Sequence, residues 1–323
     1  MKRRDFLGAA AGIWGLPPLG WFQAPSAAPP SRKEAAGERF VERWSWAMGQ
    51  AVHLQLFAAS EAEGNEAAAA ALAELRRIEA RLSLFDDASD LMELNRRAGR
   101  GAMRLDHDLH AVLALAERYR DLSGGAFNVA VEPLMRAWGF HRPRTGPPTT
   151  GEIAEAREAV ATAVIRLDAD RATLPAPHTQ LDLGGIGVGY GLDRAGAVLR
   201  ARGIQRALLD VSGDCLALGA PPGEEGWLVG IAAPAPSPDR PGALSATVRL
   251  RDQALATSSN LVSVIRFGAA LRGHVMDPDT GYPATGLRQV SVVARTGVGA
   301  DALSTAMLVS GRRGAEVLWC YQY

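Results

Sequence analysis

The sequence predicts an α+β fold of mixed, largely antiparallel sheets packed with helices. Three observations carry that reading. Helical and strand-like segments follow one another without the regular βαβα order of a doubly wound sheet. Several short strand candidates come in succession, as antiparallel neighbours do. The 323 residues are 47% hydrophobic and 22% charged, the composition of a globular chain with a sizeable core.

The elements read in order as follows. Trp44 to Phe57 alternates, with Val52, Leu54 and Leu56 on one side, as a strand leaving a Met48-Gly49-Gln50 turn. Glu66 to Leu82 is an amphipathic helix whose stripe is Leu72, Leu75, Ile78 and Leu82. A second helix is expected from its N-cap Asp106 to Leu122, stopped by Ser123-Gly124-Gly125, and a shorter third at Val129 to Trp138. The Pro/Gly-rich run from His141 to Gly151 is a loop, and Thr149-Thr150-Gly151-Glu152 fits a capping box for a helix to Ala161. Strands are expected near 163–167 and 180–183, then a glycine-rich turn and a helix at 192–202. Further strands fall near 206–211, 227–232, 244–250, 261–267 and 289–294, and a helix starts near Ala300. No internal repeat interrupts this order.

The first residues read as an address. Arg3-Arg4-Asp5-Phe6-Leu7 precedes a weakly apolar run to Phe22, which is similar to a twin-arginine export signal. Gly8, Gly12, Gly15, Pro17, Pro18 and Gly20 make that run poor material for a spanning helix of about 20 apolar residues. We expect a signal at 1–28, cleaved near Ala24-Pro25-Ser26 or Ser26-Ala27-Ala28, a Pro/Ala-rich tether at 29–39, and one domain at 40–323. The mature protein is then expected outside the cytoplasm, periplasmic if the cell has that compartment, without a stable membrane span. An uncleaved signal would leave an N-terminal anchor.

Composition narrows the chemistry. Thirty-five basic residues balance thirty-five acidic ones, which argues against a nucleic-acid partner. Lysine occurs only at Lys2 and Lys33, so the body of the chain has none for a P-loop or a pyridoxal Schiff base. Cys215 and Cys320 are too few for a disulfide framework or a thiolate zinc site. What is left is chemistry by hydroxyls, carboxylates, histidine, backbone and a hard metal.

Three segments carry candidates. Leu181-Asp182-Leu183-Gly184-Gly185-Ile186-Gly187-Val188-Gly189-Tyr190-Gly191-Leu192-Asp193 is dense in glycine but lacks the GxGxxG register. It reads as a backbone cradle for an anion or as a tight turn packing a helix on a sheet. Asp301 and Thr305 are four apart, hence on one helical face. The pair suits Mg²⁺ with phosphate and water, while an Asp at a helix start also serves as a cap or dipole partner. His274 lies beside the turn Asp277-Pro278-Asp279-Thr280-Gly281-Tyr282-Pro283, as a general base or as a hydrogen-bonding histidine next to a structural turn. His53, His107, His110, His141 and His178 have no comparable setting and read as surface or fold residues.

Taken together, these segments resemble the ApbE family of FAD:protein FMN transferases. The likeness covers about residues 40–312. It runs through Trp46-Ala47-Met48-Gly49-Gln50, Leu82-Ser83-Leu84-Phe85 and Ser89-Asp90-Leu91-Met92-Glu93-Leu94-Asn95. It continues with Gly124-Gly125-Ala126-Phe127-Asn128-Val129-Ala130-Val131-Glu132-Pro133-Leu134, Trp138-Gly139-Phe140, Asp182 to Asp193, Val211-Ser212-Gly213-Asp214, Ala256-Thr257-Ser258-Ser259, the His274 segment and Ala300 to Gly311. The resemblance implies an ApbE-like (T-fold-like) single catalytic domain. It implies a Mg²⁺-dependent transfer of the FMN half of FAD to a Thr or Ser hydroxyl of a flavin-carrier protein, releasing AMP. Metal ligands would be Asp301, Thr305 and the backbone carbonyl of Gly185. Flavin and adenine contacts would come from Met48, Phe85, Ala126, Phe127, Asn128 and the loop at 184–189 with Val188, and His274 would be the base or a phosphate-side donor. Exported FAD binding without transfer, and Mg²⁺-dependent FAD pyrophosphatase activity, are the other readings.

Four positions depart from the family pattern. Val188 stands where a lysine is usual, with Arg194 as a possible substitute cation; Asn128 replaces an aspartate, Gln50 a threonine, and Phe85 a tyrosine-like position. Relatives usually continue through another strand beyond the position of Tyr323.

Overall fold

The structure, a computed structural model, describes residues 37–234 and 243–311. The expected signal, the tether up to residue 36 and the end of the chain lie outside the described residues. Along the chain come β1 (Arg39–Ala47), β2 (Gln50–Ala58), α1 (Glu61–Leu82), α2 (Asp90–Arg96), β3 (Met103–Arg104) and α3 (His107–Leu122). A 3-10 turn at Val129–Val131 runs into α4 (Glu132–Trp138), followed by α5 (Thr150–Ala161), β4 (Arg166–Asp168), β5 (Arg171–Thr173) and α6 (Gly187–Ala201). Then come β6 (Arg206–Val211), β7 (Asp214–Leu218), β8 (Trp227–Ala232), β9 (Leu244–Leu250), β10 (Ala254–Ser259), β11 (Val264–Phe267), β12 (Ala270–Gly273), β13 (Gln289–Ala294) and α7 (Gly297–Ser310).

A six-stranded sheet in the order β1-β2-β6-β7-β10-β13 is the frame, and each neighbouring pair is antiparallel. The expected α+β class with antiparallel sheets is what the chain adopts. Because side chains alternate across a sheet, its two faces carry different cores. On one face Val52, Leu54, Leu56, Leu209, Val211, Leu216, Val290 and Val292 pack with Leu72, Leu75, Ile78, Leu199 and Leu303 of α1, α6 and α7. On the other, Phe57, Leu208, Cys215, Leu255 and Val293 are covered by Trp227, Val229, Ile231 and Leu250 of the β8–β9 hairpin. A third, smaller cluster joins α4, α5 and Met276.

Side-chain caps set the helix starts. Ser60 accepts the Glu63 N–H at 3.2 Å and Asp106 accepts the Asp108 N–H at 2.9 Å. The capping box is present, with Thr149 N–H donating to Glu152 at 2.7 Å and Glu152 N–H to Thr149 at 3.2 Å. The first cap moves the expected start of α1 from Glu66 back to Glu61.

Several elements differ from the sequence reading. No strand forms at 180–183; Arg166–Asp168 is all that remains of 163–167, and 261–267 narrows to Val264–Phe267 of a β11–β12 hairpin. The 180–183 segment does have strand-like alternation, with Leu181 and Leu183 buried. Its backbone is satisfied differently: buried Asn95 donates to the Leu181 carbonyl at 2.9 Å and accepts the Leu181 N–H at 2.8 Å. The Asp182 N–H goes to the Val129 carbonyl at 2.7 Å. One amide side chain thus takes the place of a neighbouring strand. The glycine-rich stretch is not a turn throughout, because α6 begins at Gly187.

Candidate active site

The glycines of α6 allow an unusually close crossing with α7. A Cβ on Gly189 would lie 2.2 Å from the Gly297 carbonyl oxygen, and one on Gly297 would lie 2.4 Å from that of Gly189. Asp193 locks the crossing, accepting the Gly297 N–H at 2.7 Å and the Val298 N–H at 2.9 Å at the start of α7. Two pairs of positions, each four residues apart, then face each other. At one end the Gly189 N–H donates to Asp301 Oδ2 at 2.9 Å. At the other, a Cβ on Gly185 would sit 3.1 Å from Thr305 Oγ1 and 3.4 Å from the Phe127 ring. The sequence-predicted Gly185, Phe127, Asp301 and Thr305 are therefore brought together.

The electrostatics of this corner are those of crowded oxygens. Burial, reinforced by Asp214 and Asp193, holds the Asp301 carboxyl well above the usual carboxylate range, and among the described residues no arginine or histidine pairs with it. Asp214, which accepts the Thr257 N–H at 3.0 Å, is pushed up to about 7 by burial and by Asp210. The Ser258 hydroxyl lies 2.7 Å from Ser304 Oγ and 3.1 Å from Thr305 Oγ1. Carboxylate, hydroxyl and backbone carbonyl are all hard oxygen donors, and a divalent cation would relieve the unpaired carboxyl, so the residues present fit Mg²⁺. Among the described residues no group of three His, Cys, Asp or Glu side chains is arranged to hold a metal.

The other predicted residues surround this corner. Met48 and Gly49 close the β1–β2 hairpin with φ of 56° and 68°, the left-handed pair of a type I′ turn. A methionine there carries strain of about 1–2 kcal/mol. Its thioether packs toward α6, 3.6 Å from a Cβ placed on Gly191, and Glu79 of α1 accepts the Gly49 N–H at 2.9 Å. Phe85 is 75% exposed on the loop after α1. Ala126 is half-buried beside Phe127, whose N–H is held by Ser123 at 2.9 Å, and Asn128 spends its Oδ1 on the Ala130 N–H. Val188 lies in the first turn of α6 with its side chain in the main core, so the expectation of a loop residue there is corrected. Arg194 does not substitute for a lysine: it turns to Glu74 and Asp108 at 3.4 and 3.5 Å.

His274 lies on a second wall, near Asp182 and His141. The Trp138 indole N–H donates to the Gly281 carbonyl at 2.9 Å, and this pins the 277–283 turn that follows His274. Burial lowers the His274 pKa, its Nδ1 is buried without a hydrogen-bond partner, and Phe140 meets it at 6.4 Å. No hydrogen bond among the described residues joins it to Asp301 or Thr305. His141, read from sequence as a surface or fold residue, belongs to this wall. Its Nε2 is 3.3 Å from Asp182 Oδ2 and its ring meets Phe85 edge-on at 5.8 Å. Asp182, Asp193, Asp214 and Ser258 lay inside the motifs noted in the sequence, but nothing local showed what each would touch.

The profile describing the ApbE family matches residues 48–321. The chain belongs to the ApbE family. A FAD:protein FMN transferase of Treponema pallidum is 32% identical over 254 residues, covering 73% of this chain and 69% of the relative. One from Haemophilus influenzae is 29% identical over 246 residues, covering 73% and 70%. The crystal structure of the ApbE protein of Thermotoga maritima superimposes with a TM-score of 0.75 at 27% identity, over 84% of this chain and 87% of that one. The apo flavinyl transferase ApbE of Pseudomonas stutzeri gives 0.73 at 25% identity, over 84% and 85%. This ApbE chain has, among the described residues, no helix long and apolar enough to cross a membrane.

Proposed function

We propose that the protein transfers the FMN moiety of FAD to a Thr or Ser hydroxyl of a flavin-carrier protein in a Mg²⁺-dependent reaction that releases AMP. The observation that carries this is the buried Asp301 carboxyl on the Gly189 N–H, one helical turn from Thr305, which itself meets Gly185 across the α6–α7 crossing. Its relatives of known activity are FAD:protein FMN transferases. Asp301, Thr305 and the Gly185 carbonyl would hold the metal, which when bound neutralises pyrophosphate charge. Ser258 orients the Thr305 hydroxyl, and Asp193 fixes the helix that carries both side-chain ligands. Met48, Phe85, Ala126, Phe127 and Asn128 form the apolar and backbone walls against which the flavin and adenine would lie. His274, kept neutral by burial and with Nδ1 unpartnered, is suited to accept the proton of the acceptor hydroxyl. The acceptor oxygen then bonds to the FMN phosphorus while the bond from that phosphorus to the bridging oxygen breaks, and AMP departs.

The test is incubation with FAD and Mg²⁺, with and without a carrier protein, following AMP and covalent flavin. AMP and flavinylation only when carrier is present are expected. AMP without carrier would mean hydrolysis of FAD, and neither product would mean a binding protein. We place the mature protein outside the cytoplasm on the strength of Arg3-Arg4 and the run behind it, which lie outside the described residues. Replacing both arginines by lysine keeps the charge and removes the guanidinium geometry, so export should fail. Undiminished export would overturn the placement.

A further inference from the structure

We propose that His141 is a positioning residue that acts through Asp182 to hold the Gly184–Gly185 turn against Thr305. The segment from 174 to 186 has neither strand nor helix to fix it. The turn that brings Gly185 to Thr305 is closed by the Ile186 and Gly187 N–H groups on the Leu183 carbonyl at 3.1 and 2.8 Å, and side chains brace it from outside. Asp182 supplies the local brace, because its Oδ1 accepts the Gly184 N–H at 2.8 Å. Its other oxygen faces His141 Nε2 at 3.3 Å, and the histidine side chain is only 12% exposed.

A second carboxylate stands behind the imidazole, beyond hydrogen-bond distance. His141 Nδ1 lies 3.7 Å from Glu132 Oε1, and the same oxygen takes Arg136 Nε at 3.0 Å and Nη2 at 2.8 Å. Gly139, with φ of 97°, ends α4 in the left-handed conformation and aims the chain so that His141 enters between the two carboxylates. A polar path thus runs from His141 through Asp182 to the Gly184 N–H, with the Glu132–Arg136 ion pair behind the ring. It ends one residue before the carbonyl proposed to face the metal. Partners one step removed from a metal ligand set its orientation, and their loss typically weakens metal binding by about 10- to 100-fold. A histidine at this place has a second consequence. With its ring against exposed Phe85, it ties the flavin-side wall to the metal-side turn.

The inference rests on the proposed Mg²⁺ site, so the experiment separates the two. Mg²⁺ is titrated into the full chain without FAD, with the shift in melting temperature as readout, and FAD KM and kcat are then measured across Mg²⁺ concentrations. The wild type is expected to be stabilised by Mg²⁺. His141→Phe keeps a ring for Phe85 to pack on but cannot bond Asp182, and should need about tenfold more Mg²⁺ for the same shift. His141→Gln, which restores a donor, should recover to within about threefold of wild type. If His141→Phe does not fold, Asp182→Leu is expected to show the same loss of Mg²⁺ response. A wild-type response matched by either folded variant would overturn the positioning role while leaving the function standing. Absence of any wild-type response would remove the metal site and this inference together. A raised FAD KM with unchanged Mg²⁺ response would mean that His141 meets the flavin, and would overturn it too.

Discussion

Replacing Gly189 by alanine should separate α6 from α7 and so disturb fold and site at once. The added methyl carbon would lie 2.2 Å from the Gly297 oxygen, 2.5 Å from the Gly297 carbonyl carbon and 2.8 Å from Asp301 Cβ. Two of these are backbone atoms at a helix start already held by Asp193, so no side chain can swing aside. Overpacking of this kind costs about 1–3 kcal/mol. Moving the helices apart also pulls the Gly189 N–H from Asp301, and a buried donor left unpaired costs about 1–3 kcal/mol. Alanine's better helix propensity returns at most about 1 kcal/mol. The expected net loss is about 2–5 kcal/mol, measured by urea unfolding. Gly187→Ala is the matched control, because a Cβ there meets nothing within 4 Å in the same helix. It should be neutral or stabilising by up to about 1 kcal/mol. Equal unfolding midpoints for the two variants would refute the close-crossing argument.

Asp301→Asn should lower transfer by orders of magnitude and abolish stabilisation by Mg²⁺ while the apo protein still folds; an unchanged Mg²⁺ dependence of turnover would discard the ligand assignment. Asn95→Leu would orphan the buried Leu181 N–H and carbonyl, at about 1–3 kcal/mol each. Urea unfolding should therefore show a loss of about 2–6 kcal/mol, and a change below about 1 kcal/mol would count against the strand-substitute role. Glu152 is held down to about 2 from 4.5 by the Thr149 N–H and then by Arg144, so its stabilisation is complete above pH 4.5 and fades as pH falls toward about 2. The melting temperature of Glu152→Gln should accordingly fall less steeply than wild type over that window, and parallel curves would refute the cap's acid sensitivity.

How much could be read from the chain depended on the range of the interaction involved. Asp106, Thr149 and Glu152 act within three residues, and the helix starts they predict are where the structure has them. Asp301 and Thr305 needed only the helical period to share a face. Asn95 and Leu181 are 86 residues apart, and nothing near 180–183 reveals that an amide side chain will take both of its backbone groups. The alternation of Leu181 and Leu183 correctly signalled burial, but burial does not require a strand. The glycines at 187, 189 and 191 looked like loop residues because glycine weakens isolated helices. Only Gly189 meets α7, more than a hundred residues on, which comes too close for a side chain there; Gly191 faces Leu75 and Met48, and Gly187 has open space. His141 was passed over for a related reason: its partners Glu132 and Asp182 lie on separate segments that only the fold brings together.

Among the described residues the strands of the β8–β9 hairpin pair only with each other. Among the described residues it grips the main sheet by apolar contact, with the Trp227 indole on the Leu218 carbonyl at 3.1 Å and Gln289 on the Ala232 carbonyl at 2.9 Å. Such a flap can lift as a unit without breaking the sheet beneath it. Cys215 sits under it, 1% exposed, with its thiol kept protonated by burial and hence inert while the flap is down. In a chain whose Cys320 is replaced by serine, that sulfur becomes a molecular clock: alkylation can proceed only during the intervals when the flap is raised. The labelling rate would then count the openings of one face of the sheet, independently of anything that happens at the catalytic face on its other side.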